Sequence, residues 1–235
     1  MNAFLHSARD ELMKAIATIL ATACMFASAD CAGAIIDDGS FELAELATNN
    51  SNSGWTLAES APNGPGATFE SFAASDGEIG VWFRPFVGSN LAPAFAHLSQ
   101  TINNVSGGDY YLYFDAAREL HFSADSFVAT FFSSGGLSNN IDLNAAAMNL
   151  PSNMFANPTT FVISLLGVSA GDDLTIDVEM TGGTLVPDNP QSAFVDNFRM
   201  VPEPSSIVLA ALGLVGLVVW RRRKRRLAQL AINLP

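Results

Sequence analysis

The sequence predicts an all-β protein, and three observations support this class. Residues 174–180 alternate apolar and polar side chains, which is the period of a strand with one buried face. Clusters of Gly, Asn, Ser and Pro, such as residues 133–140, separate further short apolar runs. No stretch of the central chain shows sustained helical periodicity. We therefore predict a jelly-roll β-sandwich of about nine strands.

The predicted strands lie between residues 54 and 200 and are short, as is usual for sandwich domains. Two packed layers would bury Phe and Leu side chains from both sheets in one core. A short helix is predicted near residues 144–150. The predicted strands are residues 54–58, 67–72, 79–86, 95–102, 110–116, 127–132, 160–166, 174–180 and 193–200.

Charge is distributed unevenly along the 235 residues. Eight of the eleven basic residues lie near the two ends, whereas residues 35–204 hold three Arg and twenty Asp or Glu, a formal charge of −17. Phosphate binding needs clustered Lys and Arg, so nucleic acid is not an expected partner of this middle region. Both cysteines, Cys24 and Cys31, precede it, and we expect no disulfide within it.

The first 34 residues have the order of a secretory signal peptide. A basic start precedes an apolar run over residues 15–29, and small residues permit cleavage after Ala29 or after Ala34. Acidic residues at positions 10 and 11 are unusual in such a start, so translation from Met13 is an alternative. Export would use the Sec translocon and signal peptidase.

The carboxyl-terminal tail contains three elements in a fixed order. Pro202, Glu203 and Pro204 come first, and a transmembrane helix predicted over residues 205–220 follows. Its apolar part, residues 207–220, would be about 21 Å long against a hydrocarbon core of about 30 Å, so it spans only with strain or help. The positive-inside rule keeps the basic cluster and residues 227–235 in the cytoplasm and the domain outside. The basic cluster comprises Arg221, Arg222, Arg223, Lys224, Arg225 and Arg226.

This tail resembles the PEP-CTERM sorting signal of bacterial proteins that an exosortase processes. The resemblance implies that Pro202, Glu203 and Pro204 are the recognition element and that the segment beyond them is removed. It also implies a Gram-negative type of bacterium that makes exopolysaccharide and biofilm matrix. The protein would be anchored transiently in the inner membrane and then reach the cell surface or the matrix. An ordinary single-pass membrane anchor is the alternative interpretation.

Five short motifs between residues 35 and 200 resemble, in their order, the landmarks of galactose-binding-like carbohydrate-binding modules. The resemblance implies that Glu42 and Asp196 hold a structural calcium ion, which takes about six to eight oxygen ligands. The alternative is that both are solvated or capping carboxylates. Trp55, Trp82 and Tyr110 are candidates for a platform on which a sugar ring stacks. The alternative, which the seventeen Phe favour, is that such aromatic residues pack between the sheets. The motifs are DGSFE at 38–42, GW at 54–55, LSQTI at 98–102, GDYYLYF at 108–114 and FVDNF at 194–198.

Catalytic signatures are not found in the sequence. No serine lies in a Gly-x-Ser-x-Gly motif, and the three histidines offer few ligands for zinc or copper. Asp115 with Glu119, and Asp177 with Glu179, could serve a glycosidase, but the second pair shares the polar face of a strand. We predict a non-catalytic domain that binds polysaccharide or a surface partner. The alternatives are a structural, cation-binding matrix protein without a defined ligand and an enzyme acting on glycans.

Overall fold

The structure is a computed structural model that describes most of the central chain. The predicted signal peptide over residues 1–34, Pro204 and the basic cluster lie outside the described residues, and so does the predicted transmembrane helix except for two helical glycines, Gly213 and Gly216. Among the described residues, no helix is long and apolar enough to cross a membrane. The described residues are 36–60, 66–87, 92–119, 122, 124–146, 158–183, 192–203, 213 and 216.

Twelve strands occur in the described part of the chain, with a single 3₁₀ turn at Ser71–Ala73. In chain order the strands are β1 Thr56–Ser60, β2 Ala67–Glu70, β3 Gly80–Phe83, β4 Phe86–Val87, β5 Ala92–Pro93, β6 Phe95–Ile102, β7 Gly108–Arg118, β8 Ser126–Ser133, β9 Ser138–Asp142, β10 Thr159–Val168, β11 Leu174–Thr181 and β12 Ala193–Pro202.

Ten of these strands form two antiparallel sheets of five strands each. The first sheet has the order β1-β6-β11-β8-β9 and the second the order β10-β7-β12-β3-β2, while β4 and β5 pair as a small ribbon. Apolar side chains of both sheets share one core, including Leu98 and Ile176 from the first and Val81 and Phe114 from the second, each fully buried. The predicted all-β sandwich is therefore confirmed.

Apart from the segment 79–86, the predicted strand bounds lie within two residues of the observed ones. The strand predicted over residues 95–102 coincides with β6, and the one over 174–180 is one residue shorter than β11. The strand predicted over 79–86 is divided into β3 and β4 around Pro85, which cannot donate to a ladder. Residues 144–146 form a turn, and the remainder of the helix predicted there lies outside the described residues.

The cluster at residues 133–140, predicted to separate strands, contains most of β9. This expectation was wrong because β9 lies at the edge of the first sheet, and four of its five residues are exposed. Its sequence, Ser-Asn-Asn-Ile-Asp, has no buried face and therefore no alternation to detect.

Aromatic side chains join the beginning of the domain to its last strand. The ring of Phe41 lies 5.1 Å from that of Trp55 and 5.8 Å from that of Phe198 on β12. The amide of Phe198 donates to the carbonyl of Gly39 at 2.8 Å. A Cβ on Gly39 would overlap the carbonyl oxygen of Phe198, so only glycine permits this approach.

Candidate functional site

Two of the three predicted platform residues are buried. Trp55 is 4% exposed and packs between Phe41 and Phe198, and its indole N–H donates to the carbonyl of Asp38 at 3.0 Å. Tyr110 is fully buried, and its hydroxyl donates to the carbonyl of Ser106 at 2.7 Å. The predicted platform is therefore wrong for these two residues, because both rings belong to the core.

Trp82 points to the outer face of the second sheet, where it is half-buried by two neighbouring side chains. Phe72, from the 3₁₀ turn, packs against it with ring centroids 4.8 Å apart. The guanidinium of Arg84 lies 4.1 Å from the ring centroid, a cation–π distance. Because Trp55 and Tyr110 are buried and only Trp82 is half-buried, the three predicted residues do not form one exposed surface.

Glu42 and Asp196, the predicted calcium ligands, both bind the loop before β3. Glu42 Oε1 accepts the amides of Glu78 at 2.8 Å and Ile79 at 3.2 Å. Asp196 Oδ2 accepts the amides of Ser75 at 2.6 Å and Asp76 at 2.9 Å. The two carboxylates thus hold opposite ends of one loop.

This geometry favours capping carboxylates over calcium ligands. The Glu42 Oε1 and Asp196 Oδ2 atoms accept backbone N–H groups of this loop, as capping carboxylates do. Among the described residues, no group of three or more His, Cys, Asp or Glu side chains could hold a metal ion. A structural calcium ion held by Glu42 and Asp196 therefore stays a sequence prediction.

A buried polar cluster lies where β7 and β12 pair, on the outer face of the second sheet. Asp115 and Asp196 are register partners and are 6% and 1% exposed. Asp115 Oδ1 accepts the hydroxyl of Thr160 at 2.6 Å, while Oδ2 accepts Ser75 Oγ and Asn197 Nδ2, each at 3.0 Å. All of these carboxylate oxygens therefore have donors within the protein.

Burial dominates the ionisation of Asp196. Loss of solvent raises the pKa of its carboxyl to about 7, against the opposing effect of the amides of Asp76, Ser75 and Asn197. The depression beside this cluster is lined by residues that include Ala73, Pro158 and Phe194. It has room for about one water molecule, which is too small for a sugar ring.

The outer face of the first sheet holds the other carboxylate pair considered from the sequence. Asp177 and Glu179 both point outward from β11, as predicted, but Asp177 contacts His97 on β6, with Oδ1 and Nε2 2.6 Å apart. Burial raises the pKa of Asp177 above its usual value, although His97 opposes the shift. Asp177 is therefore engaged by a histidine and not by the second carboxylate.

A row of half-buried and exposed side chains lies at the other end of the second sheet's outer face. On β7, the side chains of Tyr111 and Tyr113 point outward. The alternate residues, Tyr110, Leu112 and Phe114, are buried in the core. Across the ladders, Tyr113 is opposite Val162 and Arg199, and Tyr111 is opposite Ser164 and Val201. We call this surface the tyrosine face, and it comprises Tyr111, Tyr113, Val162, Leu166, Arg199 and Val201.

The tyrosine face includes three exposed aliphatic side chains. Val162 and Val201 are each 48% exposed and Leu166 is 58% exposed. The sequence prediction missed this surface, although its signal was present. Strand alternation through Tyr-Tyr-Leu-Tyr-Phe at 110–114 assigns Tyr111 and Tyr113 to the face opposite the core.

The last strand carries the start of the predicted sorting motif into the sheet. Pro202 is the final residue of β12 and is paired with Tyr110. The amide of Glu203 donates to the carbonyl of Asp109 at 2.9 Å, which extends the ladder by one residue. The hydroxyl of Tyr111 hydrogen-bonds the carboxylate of Glu203 and raises the pKa of Tyr111 above its usual value.

Residues 201–224 match the family model described as the PEP-CTERM protein-sorting motif. The chain carries a PEP-CTERM sorting signal. The matched residues include Pro202, Glu203 and Pro204 and extend into the basic cluster as far as Lys224. The PEP-CTERM signal marks the protein as exported, anchored at its carboxyl-terminal end and processed by an exosortase.

Solved structures similar to this chain include carbohydrate-binding modules and adhesin domains. A carbohydrate-binding module, TmCBM61, in complex with β-1,4-galactotriose is 15% identical with a TM-score of 0.45, covering 71% of this chain and 96% of its own. A xylan-binding domain from Paenibacillus barcinonensis is 14% identical with a TM-score of 0.41, covering 74% and 97%. An adhesin domain of Lys-gingipain from Porphyromonas gingivalis is 13% identical with a TM-score of 0.43, covering 73% and 99%. No curated protein matches the chain.

Proposed function

We propose that the sandwich is a non-catalytic binding domain that holds a neutral polysaccharide on its tyrosine face. In this proposal the exosortase-processed protein acts at the cell surface or in the extracellular matrix. The observation that carries the proposal is the pair Tyr111 and Tyr113, which point outward from one strand among exposed aliphatic side chains.

The chemistry of this surface suits a sugar chain. The faces of a pyranose ring carry C–H groups that pack on aromatic and aliphatic side chains, while its hydroxyls need hydrogen-bond partners. Tyrosine supplies an apolar ring and a polar tip in one side chain. Tyr113 offers both the ring and the hydroxyl, and it lies opposite Arg199. The Arg199 guanidinium adds hydrogen-bond donors but no acceptors. An exposed apolar patch of this kind commonly marks a site of interaction.

The charge of the domain favours a neutral ligand. Residues 35–204 hold three Arg against twenty Asp and Glu, so the surface repels acidic polysaccharides and nucleic acids. A neutral glycan does not experience this repulsion. The expected ligand class is therefore uncharged exopolysaccharide.

The positions of the carboxylates support binding without turnover. Asp115 and Asp196 accept hydrogen bonds from their own domain, and Asp177 contacts His97. A glycosidase needs two carboxyl groups that flank an accessible scissile bond. The depression beside Asp115 and Asp196 is too small to admit one.

The test is affinity electrophoresis of the purified full chain through gels that contain neutral or acidic polysaccharides. We expect retardation by at least one neutral polysaccharide and none by acidic ones. Tyr113→Ala should lower the affinity about tenfold or more, as for an aromatic residue at the centre of an interface. Phe132→Ala, an outward aromatic on the first sheet, is the matched control and should bind like the unaltered protein.

Two outcomes would reject this proposal. One is normal mobility in every neutral polysaccharide, and the other is equal affinity of the Tyr113→Ala variant and the unaltered protein. Calcium-dependent self-association without retardation by sugar would favour the alternative, a structural matrix component that binds cations.

A further inference from the structure

The PEP-CTERM signal begins inside the folded domain, not after it. Val201 is paired with Tyr111, and Pro202 with Tyr110, in the ladder between β12 and β7. The amide of Glu203 donates to the carbonyl of Asp109 at 2.9 Å. Two of the three residues of the Pro-Glu-Pro motif are therefore held by backbone pairing within the sandwich.

The strand that holds them is itself firmly anchored. Tyr110 is fully buried, with its hydroxyl on the Ser106 carbonyl at 2.7 Å. The Asp109 carboxylate accepts the amide of Gly167 at 2.7 Å, which ties the start of β7 to β10. The Tyr111 hydroxyl additionally bonds the Glu203 carboxylate, the only charged group of the Pro-Glu-Pro motif.

We propose that the folded domain withholds its own sorting motif from the exosortase and that processing requires residues 201–203 to separate from β7. An enzyme that recognises an extended segment must form its own contacts with that backbone and with the Glu203 carboxylate. The ladder and Tyr111 already occupy these groups, so the two sets of contacts exclude each other. Tyr111 is thus a positioning residue for the sorting reaction.

The pairing of residues 201–203 with β7 slows cleavage by the exosortase but does not prevent it. The paired residues are the last of a strand, and strand ends open at low cost compared with the core. The rate of processing should follow the fraction of molecules in which this end is open. The inference rests on the sorting signal and is independent of whether the tyrosine face binds sugar.

A reversible lock tests the inference. Tyr111→Cys with Val201→Cys replaces one cross-strand pair, whose spacing suits a disulfide. Cys31→Ser removes the thiol that stays in the chain if signal cleavage follows Ala29. The matched control, Thr101→Cys with Thr175→Cys, locks a pair on the first sheet whose hydroxyls lie 3.0 Å apart.

The oxidised and reduced full chains are incubated with membranes that contain the exosortase, and cleavage is followed by intact mass. We expect the oxidised Tyr111–Val201 lock to reduce the cleavage rate about tenfold or more, because the disulfide prevents the end of β12 from separating from β7. Reduction of the disulfide should restore the rate. The control lock should be cleaved equally in both states. Equal cleavage of the oxidised and reduced Tyr111–Val201 variant would overturn the inference, as would equal slowing by both locks.

A second variant tests the side-chain contact separately. Tyr111→Phe keeps the ring and removes the hydroxyl that bonds Glu203. Loss of one such hydrogen bond should raise the open fraction and the cleavage rate about two- to tenfold. Hydrogen exchange at the Glu203 amide should accelerate in parallel. An unchanged or slower cleavage rate would contradict the inference.

Discussion

Asp196 is 1% exposed and accepts hydrogen bonds from the amides of Ser75, Asp76 and Asn197. These amides stabilise its ionised form, but the loss of water outweighs them and raises its pKa to about 7. In the unfolded chain the same carboxyl has a pKa near 3.8. The folded protein therefore binds more protons than the unfolded chain between these two pH values.

We predict that the free energy of unfolding falls as pH rises from about 4 to about 7. Stability decreases with pH wherever the folded state binds more protons, and a shift from 3.8 to about 7 corresponds to at most about 4 kcal/mol. Urea unfolding at several pH values measures this slope. Asp196→Asn should have a smaller slope over the same window, whereas parallel pH profiles of variant and parent would contradict the assignment.

The three tyrosines of β7 explain what could be predicted for the site. The alternation of side chains along a strand is sufficient to assign Tyr110 to the core face and Tyr111 and Tyr113 to the outer face. Aromatic type alone did not carry that information, and the platform prediction chose Tyr110. The contact between Asp115 and Asp196 depends on the register of β7 and β12, which the sequence pattern does not specify.

At the scale of elements, a bulge in β12 determines which residues reach each face. The register shifts between Asp196 and Arg199, and Asn197 has a φ of 56°. Before the bulge Asp196 points to the outer face, and after it Phe198 points into the core and Arg199 outward. The bulge therefore places the buried carboxylate and the tyrosine face on the same side of the sheet.

Substitutions of Asn197 should separate its backbone role from its side-chain role. Asn197→Gly loses the bond to Asp115 but tolerates the positive φ, whereas Asn197→Val loses the bond and places a β-branched residue there. We expect Asn197→Val to be less stable than Asn197→Gly by about 1–3 kcal/mol, measured by urea unfolding. Equal stability of the two variants would show that the bulge does not require this conformation.

The contact between Glu42 and the loop before β3 allows metal binding to be tested. Because Glu42 Oε1 accepts two backbone amides of this loop, Glu42→Ala should lower the free energy of unfolding by about 1 kcal/mol. A chelator should leave Tm unchanged in both proteins. A rise in Tm with added Ca²⁺ in the parent, absent in Glu42→Ala, would instead establish the calcium site that the sequence resemblance implies.

Predictability of the elements depended on burial. Strands with one buried face, such as β6, β8 and β11, were located within one or two residues, because core packing imposes alternation on their sequences. The exposed edge strand β9 has no such constraint, so its sequence resembles that of a turn. Backbone pairing with β8, and not its own side chains, determines its conformation.

Across the whole molecule, the core, the tyrosine face and the start of the sorting signal are three different parts of one sandwich. The core and the aromatic contacts of Trp55 with Phe41 and Phe198 hold the two ends of the domain together. The tyrosine face is the proposed surface for polysaccharide, and residues 201–203 begin the PEP-CTERM signal. The charge asymmetry along the chain predicts an acidic domain outside the membrane and a basic end inside, and this topology stays a prediction.

The most direct test of this account is the intact mass of the protein from its native host, compared with the same chain from a host without exosortase. We expect that the native host alone yields a chain that ends at or near the Pro202-Glu203-Pro204 motif. A chain that retains residues 207–226 in both hosts would contradict it, and the protein would then be a permanently anchored membrane protein.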